Sequence, residues 1–200
     1  AYLSAVEERV AAGQPVGKLH SVASFFVSRV DTNVDKKLDR IAKDDPQGAR
    51  GKAARELRGK AAIANARLAY QAFEEVFRSD RFRAVEAKGA RLQRPLWAST
   101  STKDPAYPDL YYVEALVAPH TVDTMPPETF DAYRDHGDPK VRISDDLEAA
   151  RDVFHRLSEL GIDEATVSRE LEEEGVKKFS DSYESLLKAL VEKEKAMRVA

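Results

Sequence analysis

Cysteine is absent from this chain of 200 residues. That absence excludes disulfide bonds, zinc-thiolate centres and thiol nucleophiles within the chain. The histidines are scattered, and none has a second histidine four residues away, as metal-binding helices require. They are His20, His120, His136 and His155. We therefore predict no metal site and no cofactor.

Long hydrophobic runs are absent as well. No apolar stretch approaches the roughly 20 residues that a membrane-spanning helix needs. The N-terminus lacks the basic start, apolar core and small-residue cleavage site of a secretory signal. We therefore expect a soluble, cytoplasmic protein that has no membrane partner.

An excess of charge of either sign is also missing. The 32 lysines and arginines nearly balance the 35 aspartates and glutamates, which leaves a net charge of -3. Residues 50–60, RGKAARELRGK, form a local basic cluster, but no aromatic side chains lie between the charges to stack on bases. We interpret this segment as a solvated loop and the first turns of a helix, and we expect no binding to nucleic acid.

The sequence does contain short apolar strands that alternate with helical patterns. Thr32 and Asp35 resemble a capping box that opens one helix. Gly13, Gly161 and Gly175 are each predicted to end a helix, and residues 44–51 are predicted to be a loop. The predicted strands are 20–28, 94–100 and 120–125, and the predicted helices are 3–10, 32–41, 63–77, 111–118, 127–137, 147–160, 163–174 and 176–191.

Strands that alternate with helices indicate parallel pairing through βαβ crossovers. Three such units cannot by themselves bury both faces of a sheet, and a closed eight-stranded barrel needs roughly 250 residues. The chain also begins inside a helical pattern, without a methionine or a capping residue. We therefore predict the closing portion of a larger α/β fold, with its strands and helices in residues 1–145 and a packed helical extension in residues 146–200.

Chemistry in such folds concentrates at the C-terminal ends of the strands. Alternation along the first strand places Ser24 and Phe26 on one face and leaves Arg29 at the exit. A fixed cation, hydroxyl donors and a helix N-terminus would together bind a phosphate. The hydroxyl and cationic side chains at the exit of the neighbouring strand are Ser99, Ser101 and Lys103.

Two other interpretations of these residues stay open. Arg29 could instead form an ion pair with Asp31 or Asp35 at the rim of the sheet. Lys103 could act as an amine nucleophile, which requires a pKa lowered by burial or by a cationic neighbour. A lysine in the polar segment STKDP is solvated, so we favour phosphate binding for Lys103.

Four blocks of the sequence carry a further signal. They are SVASFFVSRVDTNVDKKLDRI (21–41), GKAAIANARLAYQAFEEVF (59–77), KGARLQRPLWASTSTKDPAYPD (88–109) and TVDTMPPETFDAYRDHG (121–137). In this order they resemble bacterial transaldolases, and the resemblance spans nearly the whole chain. It implies the C-terminal portion of a TIM (β/α)8 barrel of the class I aldolase type, with extra C-terminal helices.

The resemblance also implies an activity. Transaldolases are transferases of the pentose phosphate pathway that move a dihydroxyacetone unit from sedoheptulose 7-phosphate or fructose 6-phosphate to an aldose phosphate, through a Schiff base on a lysine. By their match to the family's S-x-F-x-x-R block, Ser24 and Phe26 line the substrate pocket and Arg29 grips the phosphate. Ser99 matches a serine that also helps to hold the phosphate.

Two positions depart from the family's pattern. Ser101 stands where better-known relatives have a second phosphate arginine, which leaves Lys103 as the substitute cation. Asp123 stands where relatives commonly have asparagine, and the sequence alone assigns it no role.

The family's Schiff-base lysine, acid/base glutamate and strand-one aspartate lie on earlier strands, and no counterpart of them precedes residue 20. The resemblance therefore implies that this chain holds no catalytic residue, that its partner is the N-terminal half of the same barrel, and that the isolated chain is inactive. Some relatives carry a fused glucose-6-phosphate isomerase domain, and the chain could come from such a fusion. The alternative is a non-catalytic chain, derived from the same barrel, that binds sugar phosphates or offers only an interaction surface.

Overall fold

The structure is a computed structural model that describes residues 1–199, with the side chains of residues 1–197. The strands are β1 (Ser21–Phe26), β2 (Gln93–Ala98) and β3 (Val122–Thr124). The helices are α1 (Tyr2–Ala11), α2 (Ser28–Asp44), α3 (Ala49–Leu57), α4 (Ala61–Phe77), α5 (Asp80–Glu86), α6 (Tyr111–Ala115), α7 (Pro127–His136), α8 (Leu147–Glu159) and α9 (Glu164–Val199). Each strand overlaps its predicted range and is shorter than predicted.

The strands form one parallel sheet in the order β1-β2-β3. Phe25 lies opposite Trp97 in the first pair of strands, and Trp97 lies opposite Asp123 in the second. Helices connect consecutive strands, because parallel neighbours need a crossover instead of a tight turn. The predicted α/β class with parallel pairing is therefore confirmed, and β1 and β3 are the edges of the described sheet.

One face of the sheet is covered by helices, and the other is open. Trp97 is 1% exposed and packs edge-on against Phe25, with 5.7 Å between the ring centroids. Both rings contact the main core, to which α2, α3, α4, α6, α8 and the start of α9 contribute. On the opposite face Val22 is 40% exposed and Phe26 is 38% exposed. Because parallel sheets are normally covered on both faces, the open face is the unusual feature of this fold.

A second, smaller core joins α1 to α5. Gly13 follows α1 in the left-handed conformation, with φ +66°, and ends the helix as predicted. The chain then passes through the second core before it enters β1. The buried residues of this core are Leu3, Val6, Val16, Phe82, Val85 and Ala90.

Two short helices, α3 and α5, were not predicted from the sequence patterns. α3 begins at Ala49, inside the segment predicted to be a loop, and covers much of the basic cluster. Its buried face includes Gly51 and Ala54, which are too small to give a clear apolar period. α5 has 7 residues and buries Phe82 and Val85, which are too few to show a period. Both helices depend on tertiary packing more than on local pattern.

α2 begins earlier than the predicted capping box. Val27 donates its backbone N–H to Ala98 at 2.9 Å, which continues the ladder of the sheet. Ser28 then donates to Ser99 at 3.0 Å, and α2 begins at this residue. The Thr32 hydroxyl donates to the Ser28 carbonyl at 2.8 Å, inside the helix. The capping-box prediction is therefore wrong, because pairing with β2 sets the end of the strand and the start of the helix together.

α9 runs without interruption from Glu164 to Val199. Gly161 does follow the end of α8 in the left-handed conformation, with φ +84°, as predicted. Gly175 lies inside α9, where its helix-forming neighbours tolerate a glycine at a cost of about 1 kcal/mol. The predicted break at Gly175 is therefore wrong.

From Val176 onward, α9 carries an apolar stripe that no described element covers. Its side chains are between 43% and 65% exposed. They are Val176, Phe179, Tyr183, Leu186, Leu187, Leu190 and Val191. Over the described part of the chain, no helix is at once long enough and apolar enough to cross a membrane.

Gly59, in the turn between α3 and α4, must lack a side chain for two reasons. Its φ of +75° is left-handed, and an added Cβ would lie 2.8 Å from Cζ of Tyr107. Gly161 has a similar φ of +84°, but no atom lies within 4 Å of its added Cβ.

We expect Gly161→Ala to lower the free energy of unfolding by about 1 kcal/mol, through backbone strain alone. We expect Gly59→Ala to lower it by about 2–4 kcal/mol, because overpacking against Tyr107 adds to the strain. Urea unfolding measures both, and equal losses at the two sites would contradict this account of Gly59.

Candidate functional site

Arg29 lies in the first turn of α2, immediately beyond the C-terminal end of β1. Its guanidinium stands over the ring of Phe26, with 4.2 Å between Cζ and the ring centroid. Within the described part of the chain the guanidinium has neither a hydrogen bond nor an ion pair. The aromatic face stabilises the cation without neutralising it. Arg29 can therefore bind an anion.

The residues predicted from the first strand come together in one open cleft. Ser24, Phe26 and Arg29 line a space of about 580 Å³. Val176 and Phe179 of α9 line the same cleft from the opposite side. The sequence analysis did not assign α9 to the site, although the exposed apolar stripe was visible as a helical repeat. The cleft thus combines a cation and a hydroxyl with a wall of mixed character, because α9 also contributes Glu172.

Asp31 does not pair with Arg29. Its carboxylate is 1% exposed, and it accepts hydrogen bonds from the backbone N–H of Ala62 at 2.7 Å and from the Tyr112 hydroxyl at 2.9 Å. Burial raises the pKa of Asp31 to about 6, and repulsion from Asp35 adds to the rise. The carboxylate therefore joins α2 to the start of α4 and to α6.

Asp35 is held in the same way, one turn further along α2. It accepts hydrogen bonds from the backbone N–H of Gly59 at 2.9 Å and from the Tyr107 hydroxyl at 2.7 Å. Burial raises the pKa of Asp35, and burial together with the bond to Asp35 raises the pKa of Tyr107. Because both buried aspartates use uncharged donors, the alternative in which Arg29 pairs with Asp31 or Asp35 is wrong.

Ser99 is fixed beside the start of α2. Its φ of +59° is left-handed, and its hydroxyl lies 2.9 Å from the hydroxyl of Ser28, which is buried. Ser28 immediately precedes Arg29, so Ser99 contacts the residue next to Arg29 in the chain. The sequence analysis included Ser28 in the predicted strand 20–28 and missed its role as the link between α2 and Ser99.

Ser101 and Lys103 do not line the cleft of Arg29. The Lys103 amine donates to the Ser101 hydroxyl at 2.9 Å. Lys103 is exposed and lines a separate cleft of about 300 Å³ with Thr32 and Lys36 of α2. The six predicted residues therefore do not line one pocket: Ser24, Phe26 and Arg29 share a cleft, and Lys103 lines another.

Asp123 links the ends of β2 and β3. The buried Thr100 hydroxyl donates to its carboxylate at 2.9 Å. Burial raises the pKa of Asp123 to about 6. An asparagine could accept the same bond from Thr100 without the cost of burying a charge, which gives a physical reason why either residue fits this position.

Metal ligands are not clustered in the described part of the chain. It contains no group of three or more histidine, cysteine, aspartate or glutamate side chains that could hold a metal ion.

Comparison with known proteins shows the family to which this chain is similar. The family model described as Transaldolase/Fructose-6-phosphate aldolase matches residues 2–190. A "Transaldolase" of Mycolicibacterium smegmatis is 51% identical over 190 residues, which cover 94% of this chain and 49% of that protein. A "Transaldolase" of Mycobacterium bovis is 53% identical over 192 residues, which cover 94% of this chain and 48% of that protein.

A third relative, a "Transaldolase" of Saccharopolyspora erythraea, is 51% identical over 193 residues, which cover 96% of this chain and 50% of that protein. The chain therefore spans about half the length of the curated relatives it matches.

The raised pKa of Asp31 predicts a pH dependence of stability. An aspartate with a folded-state pKa of about 6 contributes stability that is fully present when the pH is below its pKa in the unfolded state. This contribution is lost as the pH rises through about 6. Asp31→Asn keeps an acceptor for Ala62 and removes the charge. We compare the free energy of unfolding of the variant with that of the parent protein. As the pH rises from 4 to 7, we expect this difference to shift in favour of the variant by about 2 kcal/mol. Urea unfolding across this range measures the difference, and parallel pH profiles would contradict the assignment.

Proposed function

This chain belongs to the Transaldolase/Fructose-6-phosphate aldolase family, and on that basis we propose that it is part of a transaldolase. The protein would transfer a dihydroxyacetone unit from sedoheptulose 7-phosphate or fructose 6-phosphate to an aldose phosphate through a lysine Schiff base. The observation that carries the proposal is Arg29, a cation held over Phe26 at the mouth of a parallel sheet, with no hydrogen bond or close ion pair to the described residues.

Four of the predicted residues have a part in this proposal. Arg29 binds the phosphate of the sugar, because a planar guanidinium matches a phosphate with two parallel hydrogen bonds. Ser24 offers a hydroxyl to the sugar and Phe26 fixes the guanidinium. Ser99 adds a further hydroxyl beside the start of α2. These groups hold the substrate, and none of them forms a covalent bond to it.

The Schiff-base lysine is proposed to lie outside this chain. Lys103 is exposed and bonded to Ser101, so it lacks the buried surroundings that activate an amine. Once a substrate carbonyl has condensed with a lysine elsewhere in the protein, the chain's own groups anchor the phosphate end. Anchoring the remote phosphate aligns the carbonyl carbon with the nucleophile and lowers the entropic part of the barrier.

The same proposal extends to the architecture. We infer the C-terminal portion of a TIM (β/α)8 barrel, with barrel elements in residues 1–145 and a helical extension in residues 146–200. The open face of the sheet, the free edge of β1 and the exposed stripe of α9 support a partner on this side of the chain. The N-terminal half of the same barrel, which the longer relatives have room for, fits that description.

Borohydride trapping tests the location of the nucleophile. Treatment with fructose 6-phosphate and borohydride is expected to give an adduct on the full-length protein, at a lysine outside these 200 residues. The isolated 200-residue chain is expected to give none. Intact mass and peptide mapping measure both. An adduct on Lys103 would contradict the assignment, and a full-length product of only 200 residues without an adduct would favour a non-catalytic sugar-phosphate-binding chain.

Arg29→Ala tests the phosphate contact. In the full-length protein we expect kcat/KM for fructose 6-phosphate to fall about 10- to 100-fold, because a charged hydrogen bond contributes about 1.5–3 kcal/mol. Arg40→Ala, an exposed arginine on the same helix, is the matched control and should leave the constant unchanged. An Arg29→Ala enzyme with the parental KM for phosphorylated substrate would remove Arg29 from the phosphate site.

A further inference from the structure

α9 contributes a carboxylate to the cleft of Arg29. Glu172 lines this cleft together with Gly175 and Phe179 of the same helix. These three residues are spaced by three and four positions, so they lie on one face of α9. Among the described residues that line the cleft, Arg29 is the one cation and Glu172 is the one anion. A ligand of Arg29 therefore occupies a space that also contains a negative charge.

The turn of α9 that carries Glu172 is fixed on α2. The carboxylate of Glu170 accepts hydrogen bonds from the side-chain amide of Asn33 at 3.0 Å and from the amine of Lys37 at 3.0 Å. Leu171, the next residue, packs against the main core. Because these two residues immediately precede Glu172, their contacts fix the rotation of α9 that brings Glu172 to the cleft.

The carboxylate of Glu172 is available to a ligand. Glu172 is exposed, and within the described part of the chain it has no hydrogen bond and no ion pair. Glu174, two residues further on, is instead paired with Lys178 at 2.5 Å. The bond to Lys178 lowers the pKa of Glu174, and the more distant positive charges of Lys36 and Arg29 lower it further. Arg29 is therefore within electrostatic reach of this turn of α9.

A carboxylate in the cleft distinguishes a bare phosphate ion from a phosphorylated sugar. It repels any phosphate dianion, and so it opposes the attraction of Arg29. It also accepts hydrogen bonds from hydroxyl groups, and bonds to a charged acceptor are roughly twice as strong as neutral ones. The cleft, of about 580 Å³, has the volume of a small-molecule site. A ligand with hydroxyl groups recovers what the repulsion costs, whereas inorganic phosphate does not.

We propose that Glu172 is a specificity-determining residue that favours phosphorylated sugars over inorganic phosphate in the cleft of Arg29. In this role Arg29 binds the phosphate group, and Glu172 accepts a hydrogen bond from a hydroxyl group of the sugar and repels free phosphate. This inference rests on the proposed function, in which Arg29 is the phosphate ligand. It adds a selective role for α9, which carries none of the residues that the family resemblance assigns to the site.

The test uses the full-length protein, with fructose 6-phosphate as the substrate and inorganic phosphate as a competitive inhibitor. Glu172→Gln keeps an oxygen acceptor and removes the charge. We expect the inhibition constant of phosphate to fall about two- to fivefold, which is the effect of one exposed charge pair. The KM for fructose 6-phosphate should not fall, because the weaker acceptor offsets the relief of repulsion. Higher ionic strength should reduce the effect on phosphate inhibition, since salt screens exposed charges.

Glu173→Gln is the matched control. Glu173 is the next residue of α9 and is exposed, but it does not line the cleft of Arg29. The control makes the same change in net charge on the same turn of the helix. It should keep the parental inhibition constant of phosphate and the parental KM.

The outcomes separate this inference from the proposed function. An unchanged inhibition constant in Glu172→Gln would overturn the selective role, and so would a KM that falls by the same factor as the inhibition constant. Equal effects of Glu172→Gln and Glu173→Gln would also overturn it, since net charge would then explain both. If Arg29→Ala leaves phosphate inhibition unchanged, the phosphate site fails and the selective role fails with it. If Arg29→Ala weakens phosphate inhibition and Glu172→Gln does not strengthen it, only the selective role is lost.

Discussion

The buried carboxylates of Asp31 and Asp35, one turn apart on α2, are the constraint on which the surrounding structure depends. Removing a carboxylate from water is costly unless its oxygens accept hydrogen bonds. Here the donors are backbone N–H groups of Gly59 and Ala62, at the entrance of α4, and tyrosine hydroxyls from the chain after β2. α2 can therefore be buried only when these separate segments are in place, and each segment is fixed by α2 in turn.

The same arrangement leaves Arg29 available. The acidic side chains nearest to it in sequence are engaged by uncharged donors, and the ring of Phe26 supports the guanidinium without cancelling its charge. The cation therefore faces a cleft to which α9 contributes apolar side chains, such as Val176 and Phe179, together with the carboxylate of Glu172. Such a cleft suits a ligand with an anionic group at one end, and in the proposed function this ligand is a sugar phosphate.

Much of the fold was predictable because its signals are local. The apolar period of residues 63–77 predicts α4, which spans Ala61–Phe77. The alternation of apolar strands with helices predicts parallel pairing of the strands. The cleft residues Ser24, Phe26 and Arg29 were predictable from their place at the end of β1. α3 and α5 were not predicted, since their buried residues are too few or too small to produce a period.

The sequence by itself determined the α/β class, the family and the cluster at the end of β1, because these follow from periodicity, composition and motifs in contiguous residues. Only the tertiary structure decided that α2 begins at Ser28, that α9 continues through Gly175, and that Lys103 stands apart from the cleft of Arg29. Each of these depends on pairing or packing between segments far apart in sequence. Hydrogen bonds such as Ser28 to Ser99 and Asp35 to Tyr107 join such segments, and local sequence patterns do not encode them.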